Sequence, residues 1–146
     1  MTPRLNYAKA NPEALKVLYR AEQGARALGL DAGLLHLIRL RASQINGCAY
    51  CIAMHTREAR ADGEDQRRLD LLQGWRETDL FDAREKAALG WTEALTEVAR
   101  THAPDGDYAA LEEAFDPAER VAVTVAVTTI NAWNRLAIGF RAVPEA

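Results

Sequence analysis

A chain of 146 residues with 18 Lys and Arg against 21 Asp and Glu has a formal charge of −3. The two signs are mixed along its length, so it lacks the basic stripe that binding to nucleic acid requires. With 49% hydrophobic residues, residues 1–146 can bury a core as one domain. No run approaches ~18 uninterrupted apolar residues and the first ten hold no apolar export signal. Two cysteines close together make no secreted disulfide framework. A cytoplasmic protein with no membrane partner is expected.

Residues 1–10 read as an irregular lead-in. Asn11 and Pro12 start a first helix, with Leu15, Leu18 and Tyr19 at helical spacing up to Leu28 and Gly29. Asp31 caps a second, whose apolar face is Leu34, Leu35, Ile38 and Ala42, with Arg39 and Arg41 pointing elsewhere. Asn46-Gly47 breaks it, and a third helix covers residues 48–61. A shorter helix within residues 64–72 leads to a connecting segment, Gly74-Trp75-Arg76-Glu77. Asp82 and Glu85 form a capping box for a long helix running toward Thr101.

Pro104-Asp105-Gly106 reads as a loop, with Asp107 capping a short helix that ends near Phe115. Asp116, Pro117 and Glu119 together give the clearest helix start in the chain. Residues 121–130 are rich in Val and Thr and suit a buried strand by propensity. Ala122 and Ala126 interrupt that run, and Ile130, Trp133, Ala137 and Phe140 continue at helical spacing, so a helix covered on most sides, in the domain centre or against another subunit, is predicted. The class is all-α, with six to seven helices.

Both cysteines and one of three histidines fall within Gly47-Cys48-Ala49-Tyr50-Cys51-Ile52-Ala53-Met54-His55. Two thiols three positions apart at a helix start can close into a disulfide with little backbone movement. The helix N-terminus favours a thiolate, the nucleophilic form. His55, one turn after Cys51, can accept the thiol proton. A zinc site would need a fourth ligand from His36, His102 or a carboxylate, and no second C-x-x-C or H-x-x-x-H exists. A purely structural buried pair is the other reading. Redox chemistry is the reading this spacing favours, with no metal or cofactor.

Residues 36–55, through Arg41-x-Ser43-Gln44-x-Asn46-Gly47, the C-x-x-C pair and His55, resemble the core of the AhpD-like alkylhydroperoxidases of the carboxymuconolactone decarboxylase superfamily. Trp75-Arg76-Glu77 and Asn131-Ala132-Trp133-Asn134-Arg135 look like features of a short, single-core branch, extending the resemblance over residues 11–141. The resemblance implies a helical fold that assembles as homo-trimers or homo-hexamers. It also implies a peroxidase cycle in which Cys51 attacks peroxide, Cys48 resolves the sulfenic acid and His55 relays the proton. Where better-known members place a Glu twelve residues before the first cysteine, this chain has His36, which can still relay a proton, with Glu77 as an alternative carboxylate. Tyr50 stands where characterised enzymes often have His.

The function expected is thiol-dependent reduction of hydrogen peroxide or organic hydroperoxides, with a dithiol electron donor such as a lipoyl or thioredoxin-like protein. The alternatives are a dithiol adaptor without real peroxidase competence, and a decarboxylase-like or binding member whose cysteines are incidental. Among other residues, His102 reads as a helix cap. Asn131, Asn134 and Arg135 read as ties between helices or subunits. Trp75, Trp91 and Trp133 read as core or interface anchors, and Glu58, Arg60, Arg67 and Arg68 as a solvated face.

Overall fold

Local signals set most of the helix starts. Asn11, Asp31, Asp82 and Asp116 each accept a hydrogen bond from the backbone N–H three residues on, and Glu85 and Glu119 return the bond to complete two capping boxes. In the computed structural model, which describes residues 1–144, these starts open α2 (Pro12–Arg26), α3 (Ala32–Asn46), α6 (Ala83–Thr96) and α9 (Pro117–Phe140). Between them lie α4 (Ala49–Ala61), α5 (Gln66–Asp70) and α8 (Asp105–Ala114). The described residues hold no strand, and the fold is all-α.

Short elements raise the helix total to ten among the described residues. Asn6 caps a one-turn α1 (Tyr7–Ala10) inside the expected lead-in, and a 3-10 helix (Leu72–Glu77) occupies the expected connector. The long helix expected to reach Thr101 breaks at Glu97, leaving α7 (Val98–Thr101) as a separate turn, and the Thr101 hydroxyl donates to Ala94 O at 2.6 Å. The helix start assigned to Asp107 moves back one turn. Pro104 O accepts from the N–H groups of Asp107 and Tyr108, and Asp105 and Asp107 both lie in the first turn, where the helix dipole favours acidic residues.

At the centre lies α3, packed against α4, α6 and α9. Leu34, Leu35 and Ile38 join Ala88 and Trp91 of α6, Leu111 of α8 and Val123 and Val127 of α9 in the main core. On the other side Leu37 and Leu40 meet Ala59, Leu72, Trp75 and Leu89. Each fully buried Leu, Ile or Val among them contributes roughly 1.5–3 kcal/mol on burial. Because α3 is covered on several sides, its arginines cannot both reach solvent. Arg41 pairs with Glu93 at 2.8 Å, and Arg39 is 2% exposed against Glu22 of α2, also at 2.8 Å. Both arginines point away from the Leu34, Leu35 and Ile38 face, and each meets a carboxylate of a neighbouring helix.

Glu93 also accepts from Trp75 Nε1 at 2.9 Å. Burial pushes its carboxyl upward, but the bonds from Trp75, Arg76 and Arg41 outweigh that and hold it below the ordinary value. The expected tie between helices is made by two amides. Asn46 of α3 donates to Asn131 (3.0 Å) and Asn134 (2.8 Å), Asn134 donates to Ser43 at 3.0 Å, and Asn131 donates to Thr96 of α6 at 3.0 Å. Arg135 bonds only back along α9 to Asn131.

With its length and hydropathy α9 could cross a membrane, yet here it is a core helix on which α2, α3 and α6 pack. Its outer side keeps Val121, Val125 and Ile138 exposed on the single chain.

Candidate active site

The turn from α3 into α4 creates the site. Gly47 takes φ +68°, a left-handed conformation that favours glycine. Its N–H bonds to Gln44 O at 3.2 Å while that of Cys48 bonds to Ser43 O at 3.0 Å, so α3 ends in a Schellman cap. Cys48 is thereby the N-cap of α4, and its sulfur accepts from the Cys51 N–H at 3.3 Å. The two cysteines are joined as a disulfide with Cα atoms 5.3 Å apart. Both are 2% exposed and pack on Ala137 of α9.

Beside them is a cavity of about 460 Å³. One stripe of α2 lines it with Leu15, Tyr19, Glu22 and Arg26; α4 contributes Tyr50, Cys51, Met54, His55 and Glu58; α9 adds Trp133 and Ala137; Tyr7 and the residues before it form a further wall. Cys51 lines the cavity and Cys48 does not. A larger concavity of about 610 Å³ opens between α6 and α8, but no cysteine or histidine lines it.

His55 is 4% exposed. Its Nδ1 lies 3.2 Å from a carboxylate oxygen of Glu58, and its Nε2 is buried without a hydrogen-bond partner. The bond to His55 is the largest cause holding the Glu58 carboxyl below its ordinary value, against partial burial that pushes it up. An ionised Glu58 fixes the proton on Nδ1 and leaves the Nε2 lone pair free as a base. Glu58 is therefore part of the site and not merely a member of a solvated face. The i, i+3 spacing from His55 was the signal for it. Arg68, also assigned to that face, pairs with Glu64 at 2.8 Å and with Glu85 at 2.5 Å.

The other expected residues fall elsewhere. His36 is 3% exposed and does not line the cavity; its Nε2 lies 2.6 Å from Asp62, the C-cap of α4. Glu77 is exposed at the end of the 3-10 helix and also lies off the cavity. His102 is the left-handed C-cap of α7. Trp75 and Trp91 are buried, whereas Trp133 lines the cavity with its ring 5.1 Å from that of Tyr19. Among the described residues no group of three or more His, Cys, Asp and Glu side chains is arranged to hold a metal ion.

Glu22 was not singled out from the sequence. It lines the cavity and pairs with both Arg26 (3.0 Å) and Arg39 (2.8 Å), bringing a second carboxylate to the wall that carries Glu58.

Residues 12–94 match the carboxymuconolactone decarboxylase family. The uncharacterized protein YdfG of Bacillus subtilis is 36% identical over 138 residues, 94% of each chain. A crystal structure from Agrobacterium tumefaciens, of a protein of unknown function provisionally assigned to antioxidant defence as an AhpD, superposes with a TM-score of 0.97 at 44% identity and 99% coverage of both chains. The debrominase Bmp8 shares the fold alone, with a TM-score of 0.83 at 15% identity over 94% of this chain and 74% of that one. With the helical architecture and the C-x-x-C turn both in place, the chain belongs to the carboxymuconolactone decarboxylase family, on its AhpD-like side.

Proposed function

We propose that the chain is a thiol peroxidase that reduces hydroperoxides through a Cys48/Cys51 dithiol–disulfide cycle. The observation that carries this reading is Cys51 on a cavity, one turn before a histidine whose Nε2 is unpartnered and whose Nδ1 is held by Glu58.

In the reduced form, His55 Nε2 takes the Cys51 thiol proton, and the N-terminus of α4 stabilises the thiolate. The thiolate sulfur attacks the distal peroxide oxygen and the O–O bond breaks. The proximal oxygen leaves as an alkoxide and takes the proton from His55, giving the alcohol and a Cys51 sulfenic acid. The Cys48 sulfur then attacks Cys51, the S–O bond breaks, and the hydroxide leaves as water with the Cys48 thiol proton. One hydroperoxide and two thiols thus give one alcohol, one water and one disulfide. An external dithiol, of the lipoyl or thioredoxin-like kind, restores the thiols by exchange and leaves as its own disulfide. This cycle runs in a cytoplasmic homo-trimer or homo-hexamer, for which the uncharged exposed residues Val121, Val125 and Ile138 of α9 provide a suitable surface.

Stopped-flow oxidation of the reduced protein by hydrogen peroxide and by an organic hydroperoxide, with thiol mass spectrometry at the end point, tests the reading. Oxidation much faster than that of a free thiol of equal pKa, ending in the Cys48–Cys51 disulfide, is expected. A rate no faster than the free thiol's would transfer the assignment to a dithiol adaptor.

A further inference from the structure

The cavity on Cys51 is polar at one end and aromatic at the other. Along the lining stripe of α2, Leu15 and Tyr19 give way to Glu22 and Arg26, and along α4, Tyr50, Cys51 and Met54 give way to His55 and Glu58. Tyr7 lies near both Tyr50 and Tyr19, which after burial itself raise its pKa, while Arg26 is a neighbour of Glu58. The two stripes therefore run in the same sense, and Cys51 and His55 sit where the aromatic end meets the charged one.

The aromatic end is built from three elements. The Tyr19 ring of α2 lies 5.1 Å from the Trp133 ring of α9. Tyr7 closes the wall, with its own ring 5.6 Å from Phe140. The segment bearing Tyr7 is tied down by Arg4, whose backbone N–H donates to Phe140 O at 3.0 Å and whose guanidinium donates to Gly139 O at 3.0 Å. Tyr7 and Trp133 both lie outside residues 12–94, the part that matches the family. This wall is thus a property of the chain beyond the motif that places the cysteines.

From this geometry we infer that Tyr7, Tyr19 and Trp133 form a ring-binding wall that selects a hydroperoxide with an aromatic or similarly bulky apolar body, its peroxide group turned toward Cys51 and His55. The inference rests on the peroxidase reading for the reaction, but not for the binding of the body. A 460 Å³ cavity far exceeds what hydrogen peroxide needs, and a ligand without a body gains nothing from the apolar wall. A ring set against aromatic neighbours gains both area burial and ring–ring contact, which together give about tenfold discrimination for each well-placed contact.

The test compares second-order rates of Cys51 oxidation by cumene hydroperoxide and by hydrogen peroxide in the parent, in Tyr19→Ala and in Trp133→Leu. It also measures binding of cumyl alcohol, an unreactive analogue, by calorimetry to the oxidised protein. The expected result is at least a tenfold preference for cumene hydroperoxide, cut about tenfold in either variant, with cumyl alcohol bound by the parent and weakened in parallel. Arg4→Ala, which removes the guanidinium tie to Gly139 and keeps the backbone bond to Phe140, loosens the segment bearing Tyr7 without altering the wall's rings and is expected to reduce the same preference. Fast oxidation with equal rates for the two peroxides, or a preference unchanged in both wall variants, overturns the inference while leaving the peroxidase reading intact. Slow oxidation by both peroxides with cumyl alcohol still bound through Tyr19 and Trp133 overturns the peroxidase reading and supports the wall. Absence of cumyl alcohol binding overturns the wall.

Discussion

Arg39 of α3 faces Glu22 of α2 across 2.8 Å, with its guanidinium 2% exposed and Nη2 lacking an aligned hydrogen bond. Burial lowers the pKa of Arg39, and Glu22 is the first of the groups that oppose the shift. Removing the carboxylate strands a buried cation. Glu22→Ala is expected to lose about 3 kcal/mol of stability in urea unfolding, whereas Arg39→Met, which removes the charge and keeps the volume, loses far less. Equal losses would mean that the pair itself, and not the stranded charge, dominates.

Glu58 positions His55 through Nδ1, so its replacement should slow the chemistry without stopping it. Glu58→Ala is expected to lower the rate of Cys51 oxidation roughly tenfold, less than the hundredfold or more that a direct acid–base group supplies, because Glu58 acts through His55. Glu58→Gln, whose amide oxygen can still accept from Nδ1, should recover part of that rate. Failure of Gln to recover any of it would remove the orienting role.

The same pair predicts a pH effect on stability. The folded Glu58 carboxyl lies below its ordinary value, chiefly because of the His55 bond. Its contribution is therefore complete above the unfolded value of about 4.3 and is lost as pH falls through the folded one. Between about pH 6 and about pH 3, a window that brackets the carboxylate range, the urea midpoint of the parent should fall more than that of Glu58→Gln. Parallel curves would refute the linkage.

Asn134 is fully buried and bonds at both ends, to Ser43 at 3.0 Å and to Asn46 at 2.8 Å. Asn134→Ala leaves both partners short of a bond and is expected to cost about 1–3 kcal/mol in chemical denaturation. A neutral result would imply that other groups replace the lost partner.

His36 and Cys48 give contrasting variants. His36→Gln should lower the unfolding midpoint, because it disturbs the contact with Asp62 that fastens the end of α4 to α3, and leave the oxidation rate of Cys51 unchanged. A slowed rate in a folded variant would restore His36 to the proton relay. Cys48→Ser should turn over once and then accumulate Cys51 as sulfinic acid, visible in mass spectrometry as the gain of two oxygen atoms. Sustained turnover with the same donor would reverse the roles of the two cysteines.

The helix starts at Asn11, Asp31, Asp82 and Asp116 and the stop at Gly47 were legible because their causes are local: the four caps bond within their own first turn, and Gly47 needs only its own φ. Residues whose roles depend on packing were not. The sequence records the charge of Arg39 but not that α3 is enclosed, so its burial against Glu22 is not readable from it. Glu58 lies three residues from His55, a visible spacing, yet only the cavity between α2, α4 and α9 separates it from the other charges on α4. Glu22 comes to the site through the docking of α2, and no motif announces that. That Trp133 lines the cavity is not readable either, because packing and cavity lining share one hydrophobic pattern.

The 5.3 Å between the Cα atoms of Cys48 and Cys51 is at once an ordinary spacing for helical neighbours three apart and an ordinary spacing for a disulfide. The Gly47 cap and the first turn of α4 thus suit either oxidation state without rebuilding. A protein arranged in this way can be charged and discharged many times while its outline stays the same. On the proposed cycle it is a renewable reagent, and any partner that must tell the spent form from the fresh one has to read the sulfur atoms themselves.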